Sequence, residues 1–184
     1  MRGTARLLSV VVLLLGVVSP ARADEAEHCA ARLVPLEPIA GPTLAELVPI
    51  GCFDSYDLAL EAGTGTTVDV AADVSPQTLT AEVAASIGTT SSVLIGTEFD
   101  GSDFAGGSES YFASSTCSSG VVWSVPSVGP EWNDRFQSGK GFGGCDTNRK
   151  FEHANFAGNV RTCTPNCQEY GALANRVSSL RWRP

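Results

Sequence analysis

The residues best equipped for chemistry are six cysteines, two histidines and a set of hydroxyl and carboxyl groups in the second half of the chain. Cys29, Cys52, Cys117, Cys145, Cys163 and Cys167 form an even set, which outside the cytosol reads as three disulfides. Sequence alone leaves the pairing open. Proximity favours Cys29–Cys52, Cys117–Cys145 and Cys163–Cys167, the last closing a tight loop around Pro165 and Asn166. The rival is a zinc site of Cys145, His153, Cys163 and Cys167, but that spacing matches no familiar zinc pattern. Catalytic readings are thin. His28 sits in an acidic stretch. No motif sets a base beside one of the many serines. The glycines of 139–144 lack the following helix and the Lys-Ser/Thr ending of a phosphate loop. With no convergent acid, base and nucleophile, the chain reads as non-enzymatic.

The elements around these residues begin with an export signal. Arg2 and Arg6 precede an apolar run from Leu7 to Val18, and Ala21-Arg22-Ala23 supplies a small-residue cleavage pattern. A membrane anchor is the alternative, but spanning takes about 20 apolar residues and this run is shorter. Residues 1–23 are therefore expected to be a signal peptide, leaving a secreted, extracellular product with no membrane segment. The whole chain carries a formal charge of −8. Losing Arg2, Arg6 and Arg22 makes the mature form more acidic still, so nucleic acid is excluded as a partner. Arg32 is the only Lys or Arg between Asp24 and Val128, whereas most basic residues follow Gly129. That asymmetry reads as solvated surface or as two halves docked by opposite charge.

Residues 24–50 read as irregular because Pro35, Pro38, Pro42 and Pro49 interrupt them. A helix is predicted over 55–62, with Asp54 as cap and Gly63 at its exit. A short strand is predicted over Thr66–Val70. A second helix should open at Ser75-Pro76 and run to Ser86, ended by Gly88. From residue 91 the pattern turns to strands: Val93–Phe99, then Val121, Trp123 and Val125 on one face, then Leu180 and Trp182 on one face. The expected organisation is an acidic extension over 24–90, with a docked subdomain as one reading of it, followed by an all-β unit over 91–184.

That unit contains a duplication. Phe99-Asp100-Gly101-Ser102-Asp103-Phe104-Ala105-Gly106 matches Phe151-Glu152-His153-Ala154-Asn155-Phe156-Ala157-Gly158: aromatic, acid, three free positions, aromatic, one free position, glycine. Asn133-Asp134-Arg135-Phe136-Gln137-Ser138 follows the first octapeptide, and Ala174-Asn175-Arg176-Val177-Ser178-Ser179 follows the second. Aromatics five apart fall on opposite faces of a straight strand. If the chain folds back between them, the two rings can pack. His153 is a free position of this repeat, matched by Gly101, and Asp100 matches Glu152, which points to a shared structural role for the two acids.

The repeat resembles the Greek-key motif of the βγ-crystallins over about residues 91–184. The resemblance implies a mainly β fold, a Greek-key β-sandwich of two motifs, preceded here by a small extension with two short helices and a short strand. A monomer is expected. Glu98 and Lys150, just before the first aromatic of each motif, depart from the family's habit. The stretch 107–132 is longer than its counterpart and implies an extended loop. Microbial members of the family often carry paired polar loops that coordinate calcium, which takes about six to eight oxygens. The resemblance thus names Asn133, Asp134 and Ser138 in the first loop, and Asn175, Ser178 and Ser179 in the second, as candidate calcium ligands. Gln137 and Ala174 each replace an expected polar group. The competing reading is a pair of plain polar turns, with Ser138 and Ser179 fastening the hairpins. The chain also looks like small secreted actinobacterial proteins of this fold, some of whose relatives are metalloproteinase inhibitors while others resemble killer toxins. An extracellular protease is therefore one candidate partner, met by the 107–131 loop or the Cys163–Cys167 turn.

Overall fold

The computed structural model describes residues 27–37, 42–68 and 75–184; the expected signal peptide lies outside them. Residues 28–35 and 42–53 are paired strands, which corrects the irregular reading for these residues. β1 (His28–Pro35) runs antiparallel to β2 (Pro42–Phe53). The prolines fit because of where they fall. Pro42 opens β2, and Pro49 sits beside a bulge where Ala30 pairs with Gly51 and Ala31 with Pro49, leaving Ile50 as the extra residue. Strand starts and bulges tolerate a residue without an N–H. Cys29 faces Cys52 across the hairpin and is bonded to it.

Helix α1 (Tyr56–Thr64) forms where one was predicted, with different ends. Ser55, not Asp54, is its N-cap, and Gly65 at φ 73°, not Gly63, makes the left-handed exit. Gly63 lies inside the helix because the Phe112 ring occupies the space a Cβ would need. No strand forms over residues 66–68, and 69–70 lie outside the described residues. The chain is instead tied back to α1, with the Val68 N–H donating to the Glu61 carboxylate at 3.1 Å. Ser75-Pro76 opens a turn rather than a helix. Helix α2 (Ala81–Ile87) starts later, where the Thr80 hydroxyl accepts the Val83 N–H at 3.4 Å.

The second half is β3 (Val93–Phe99), β4 (Ser108–Ala113), β5 (Val122–Val125), β6 (Ser138–Gly141), β7 (Thr147–His153), β8 (Ala157–Cys163) and β9 (Ser179–Arg183). The stretch 107–131 is therefore not one continuous loop: it holds β4, a short turn at Cys117–Ser119 pinned by the Cys117–Cys145 bond, and β5. All three disulfides join the pairs favoured by proximity. This leaves no cysteine free for zinc.

The strands form one curled sheet in the order β6-β3-β4-β1-β2-β5-β9-β7-β8. Each repeat lends a segment to the other. β5, from the first repeat, pairs with β9 of the second. In return Cys167 exchanges two backbone hydrogen bonds with Gly139, at 3.0 and 2.9 Å. The hairpin then fills the remaining gap, with β1 parallel to β4 and β2 parallel to β5. Trp123, Trp182, Tyr111, Phe136 and Leu180 lead the main core inside the curl. Both helices pack on the other face of the β3–β4–β1 region, around Leu60, Phe112 and Phe142. Among the described residues no helix is long and apolar enough to cross a membrane.

Candidate functional site

The two octapeptides fold into hairpins of matching backbone angles and ring contacts. In the first, Phe99 and Phe104 meet edge to face with ring centroids 5.8 Å apart; in the second, Phe151 and Phe156 do so at 5.5 Å. The fold-back forces left-handed backbone at Asp103 and Phe104 (φ 56° and 63°), and at Asn155 and Phe156 (φ 57° and 63°). Gly106 and Gly158 both take φ 79°. Such angles cost a non-glycine residue stability, so the surroundings must hold them. A serine does so in each half. The Ser138 hydroxyl donates to the Gly101 carbonyl at 2.6 Å and accepts the Phe104 N–H at 3.1 Å. The Ser179 hydroxyl donates to the His153 carbonyl at 2.7 Å and accepts the Phe156 N–H at 3.0 Å. A cation caps each second ring, Lys140 over Phe104 at 4.6 Å and Arg181 over Phe156 at 4.3 Å.

The polar loops cross between the repeats. The Asp134 N–H donates to the Val177 carbonyl at 3.1 Å, and the Asn175 N–H to the Phe136 carbonyl at 2.9 Å. Asp134 and Asn175 have φ of 61° and 58°, a region that Asp and Asn tolerate better than most residues. This crossing brings Asp134 of the first loop to Asn175, Arg176 and Ser178 of the second, and to Glu152 and His153 of the second hairpin. Together they line a cleft of about 200 Å³. The Glu152 carboxylate is already engaged, by Arg176 and by Asn159. The Asn159 backbone N–H, and then its side chain and Arg176, hold that carboxyl below the ordinary glutamate range. Among the described residues, the oxygens that face the cleft without such a partner set are the Asp134 carboxylate, which accepts from the neighbouring Asn133 amide at 2.8 Å, and the Ser178 hydroxyl. Ser178 donates to the Glu152 carbonyl at 2.9 Å, which leaves its own lone pairs to accept.

The matching place in the other half is built differently. Gln137 stands where Ser178 stands, and its amide N–H donates to the Asp100 carbonyl at 2.5 Å. That puts a donor where a cation would need an oxygen. Asp100 itself pairs with Arg135 at 2.9 Å, as Glu152 pairs with Arg176. Of the six candidate ligands, then, Asp134, Asn175 and Ser178 share one cleft. Asn133 lies beside it on the exposed surface, bonded to Asp134. Ser138 and Ser179 are buried and committed to the hairpins. Sequence reasoning gave Glu152 only a structural role shared with Asp100 and did not place it at the cleft, which it lines.

It also treated Glu98 and Lys150 only as departures. The two form a buried ion pair, 0% and 1% exposed, at equivalent positions of the two repeats. The Tyr170 hydroxyl donates to Glu98, and Lys150 sits 5.4 Å from the Trp182 ring centre and 5.7 Å from that of Tyr170. Burial pushes Glu98 up and Lys150 down, and each opposes the shift of the other. Nearby, Glu109 accepts the Tyr111 hydroxyl at 2.5 Å, and burial pushes its carboxyl up to about 8.

No protein-family model matches the chain, and no curated protein matches it. Among solved structures, the chain is similar to a βγ-crystallin from an archaeon at 22% identity, over 48% of this chain and 96% of that one, with a TM-score of 0.35. The likeness is slight, and the assignment of the fold rests on the chain's own geometry. Two repeats exchange strand segments, each opened by an aromatic-clasped hairpin and locked by a serine, which is the arrangement that the resemblance to the βγ-crystallins implies.

Proposed function

We propose that this chain is an exported, non-catalytic βγ-crystallin-like protein that binds one calcium ion in the cleft between Asp134 and Ser178. One observation carries the reading: the crossed backbone pairing of the two loops brings Asp134, whose carboxylate has no cationic partner among the described residues, into one cleft with Asn175, Ser178 and Glu152. Asp134 supplies the charge, Ser178 a hydroxyl oxygen, and the Glu152 carbonyl and Asn175 side chain further oxygens. Water completes the shell of about six to eight ligands. Arg176 at the rim weakens the site by repulsion, so the affinity is modest. Gln137 limits binding to this one site. Three disulfides support the expectation of an oxidising, extracellular location.

Calorimetric titration of the oxidised protein with calcium tests this. The expected result is one site, lost in Asp134→Ala and weakened in Ser178→Ala, with magnesium a poor substitute. Binding that survives Asp134→Ala would contradict it. A second reading, inhibition of an extracellular metalloproteinase, is favoured by the exposed Thr164–Asn166 turn, closed by Cys163–Cys167. It predicts stoichiometric loss of protease activity that is abolished when the turn is replaced by glycines.

A further inference from the structure

The hairpin β1–β2 creates a second concavity, away from the cleft. It has a volume of about 610 Å³, within the range of small-molecule sites. Its walls are apolar. Leu36, Ala45, Leu47 and Pro49 come from the hairpin, Val128 and Pro130 from the turn after β5, and the Cys29–Cys52 bond closes one side. Its charged groups are of nearly one sign. Glu27, Glu46 and Glu131 are exposed carboxylates, and Glu109 is a buried carboxyl on the strand paired with β1. The single cation, Arg135, is already balanced. It bonds Asp100 at 2.9 Å and the Glu131 carbonyl at 3.2 Å, and stacks on Trp132 at 4.5 Å.

Apolar walls favour an apolar body, and four carboxyls with no free cation favour a positive head. An anionic amphiphile such as a fatty acid would meet like charge at every side. We propose that this cavity binds a small apolar molecule carrying one ammonium group, with its body between β2 and the 126–132 turn and its ammonium on Glu109. The cavity uses none of the residues of the Asp134 cleft, so the two sites succeed or fail separately.

Glu109 gives the complex a signature. In the free protein its carboxyl holds a proton to about pH 8, because burial outweighs the Tyr111 hydrogen bond and Glu98 adds like charge. Glu27, Glu46 and Glu131 add negative charge from the rim, and Arg135 is neutralised by Asp100. An ammonium placed against Glu109 favours the ionised form. Binding near neutral pH should therefore release a proton and tighten as pH rises towards 8.

The test is calorimetry on the oxidised full mature chain in EDTA, with three probes of one shape: 1-naphthylmethylammonium, 1-naphthylmethanol and 1-naphthoate. The expected order is the ammonium first, the alcohol about tenfold to a hundredfold weaker for want of a charged hydrogen bond, and the carboxylate undetectable. Titration of the ammonium in two buffers of different ionisation enthalpy should reveal proton release at pH 7. Glu109→Gln should sharply reduce the preference for ammonium over alcohol and abolish the proton release, while the alcohol still binds. Leu47→Arg, at a partly buried wall position, should abolish binding of all probes and leaves Glu109 in place should the first variant not fold. Equal affinity for ammonium and alcohol, no binding of the ammonium, or a preference unchanged by Glu109→Gln would overturn the proposal.

Discussion

Glu98 and Lys150 are charged residues at the same position of two repeats, and the fold makes sense of both at once. Each lies just before the first aromatic of its hairpin, and they meet in the core although 52 residues separate them. A buried ion pair is weak evidence of stability but costly to break. Glu98→Leu alone leaves Lys150 charged and unpaired between Tyr170 and Trp182, so urea unfolding should show a loss of about 3–5 kcal/mol. Glu98→Leu combined with Lys150→Met should restore most of that loss. A second buried carboxyl also responds to pH. Folding raises the Glu109 carboxyl from 4.5 to about 8, so the folded chain binds more protons than the unfolded chain in that interval. This contribution to stability is full below about pH 4.5, declines as pH rises, and is gone above about pH 8. Denaturation midpoints at pH 5 and pH 8 should differ less in Glu109→Gln than in the parent. None of this pairing was legible beforehand, because a residue's partner across the core leaves no mark in its neighbours.

At the scale of elements, legibility follows how local the cause is. The strand over Val93–Phe99 and the aromatic pairs of both hairpins were readable because β-branched runs and a repeated spacing are local signals. The hairpin over 28–53 was hidden because Pro42 and Pro49 look like breakers until the strand start and the bulge give them places. Gly63 resembled a helix exit, and only the Phe112 ring explains it. The candidate site was half legible. The two polar loops were visible, but which residues cross to share a cleft depends on backbone bonds such as Asp134 to Val177. Two predictions belong here. Gln137→Ser removes the amide donor at the Asp100 carbonyl, and calcium titration of that variant should show two sites where the parent shows one. Replacing Cys29 and Cys52 by serine frees a hairpin closed over a sequence separation of 23, and thermal unfolding should register a loss of about 2–4 kcal/mol.

For the molecule as a whole, the hairpin matters more than its position in the chain suggests. It joins the edge at β4 to the edge at β5 and turns two sheets into one, with Leu33 and Ala45 in the main core. Residues 91–184 produced alone should therefore expose two strand edges and part of that core. They are expected to aggregate or to lose cooperative unfolding, and the addition of residues 24–90 in trans should not be needed by the full chain. The acidic first half and the basic second half are thus neighbours within one sheet. The cleft at Asp134 and Ser178 lies where the two repeats cross, so an ion there would tie the repeats together, and stability reports its binding. The decisive measurement is the thermal melt of the oxidised protein without residues 1–23 in EDTA, then in calcium at about 100 times its dissociation constant, with magnesium as control. The account predicts a calcium-specific gain of about 2.7 kcal/mol, absent in Asp134→Ala. An unchanged melt in calcium, or an equal rise in the variant, would contradict it.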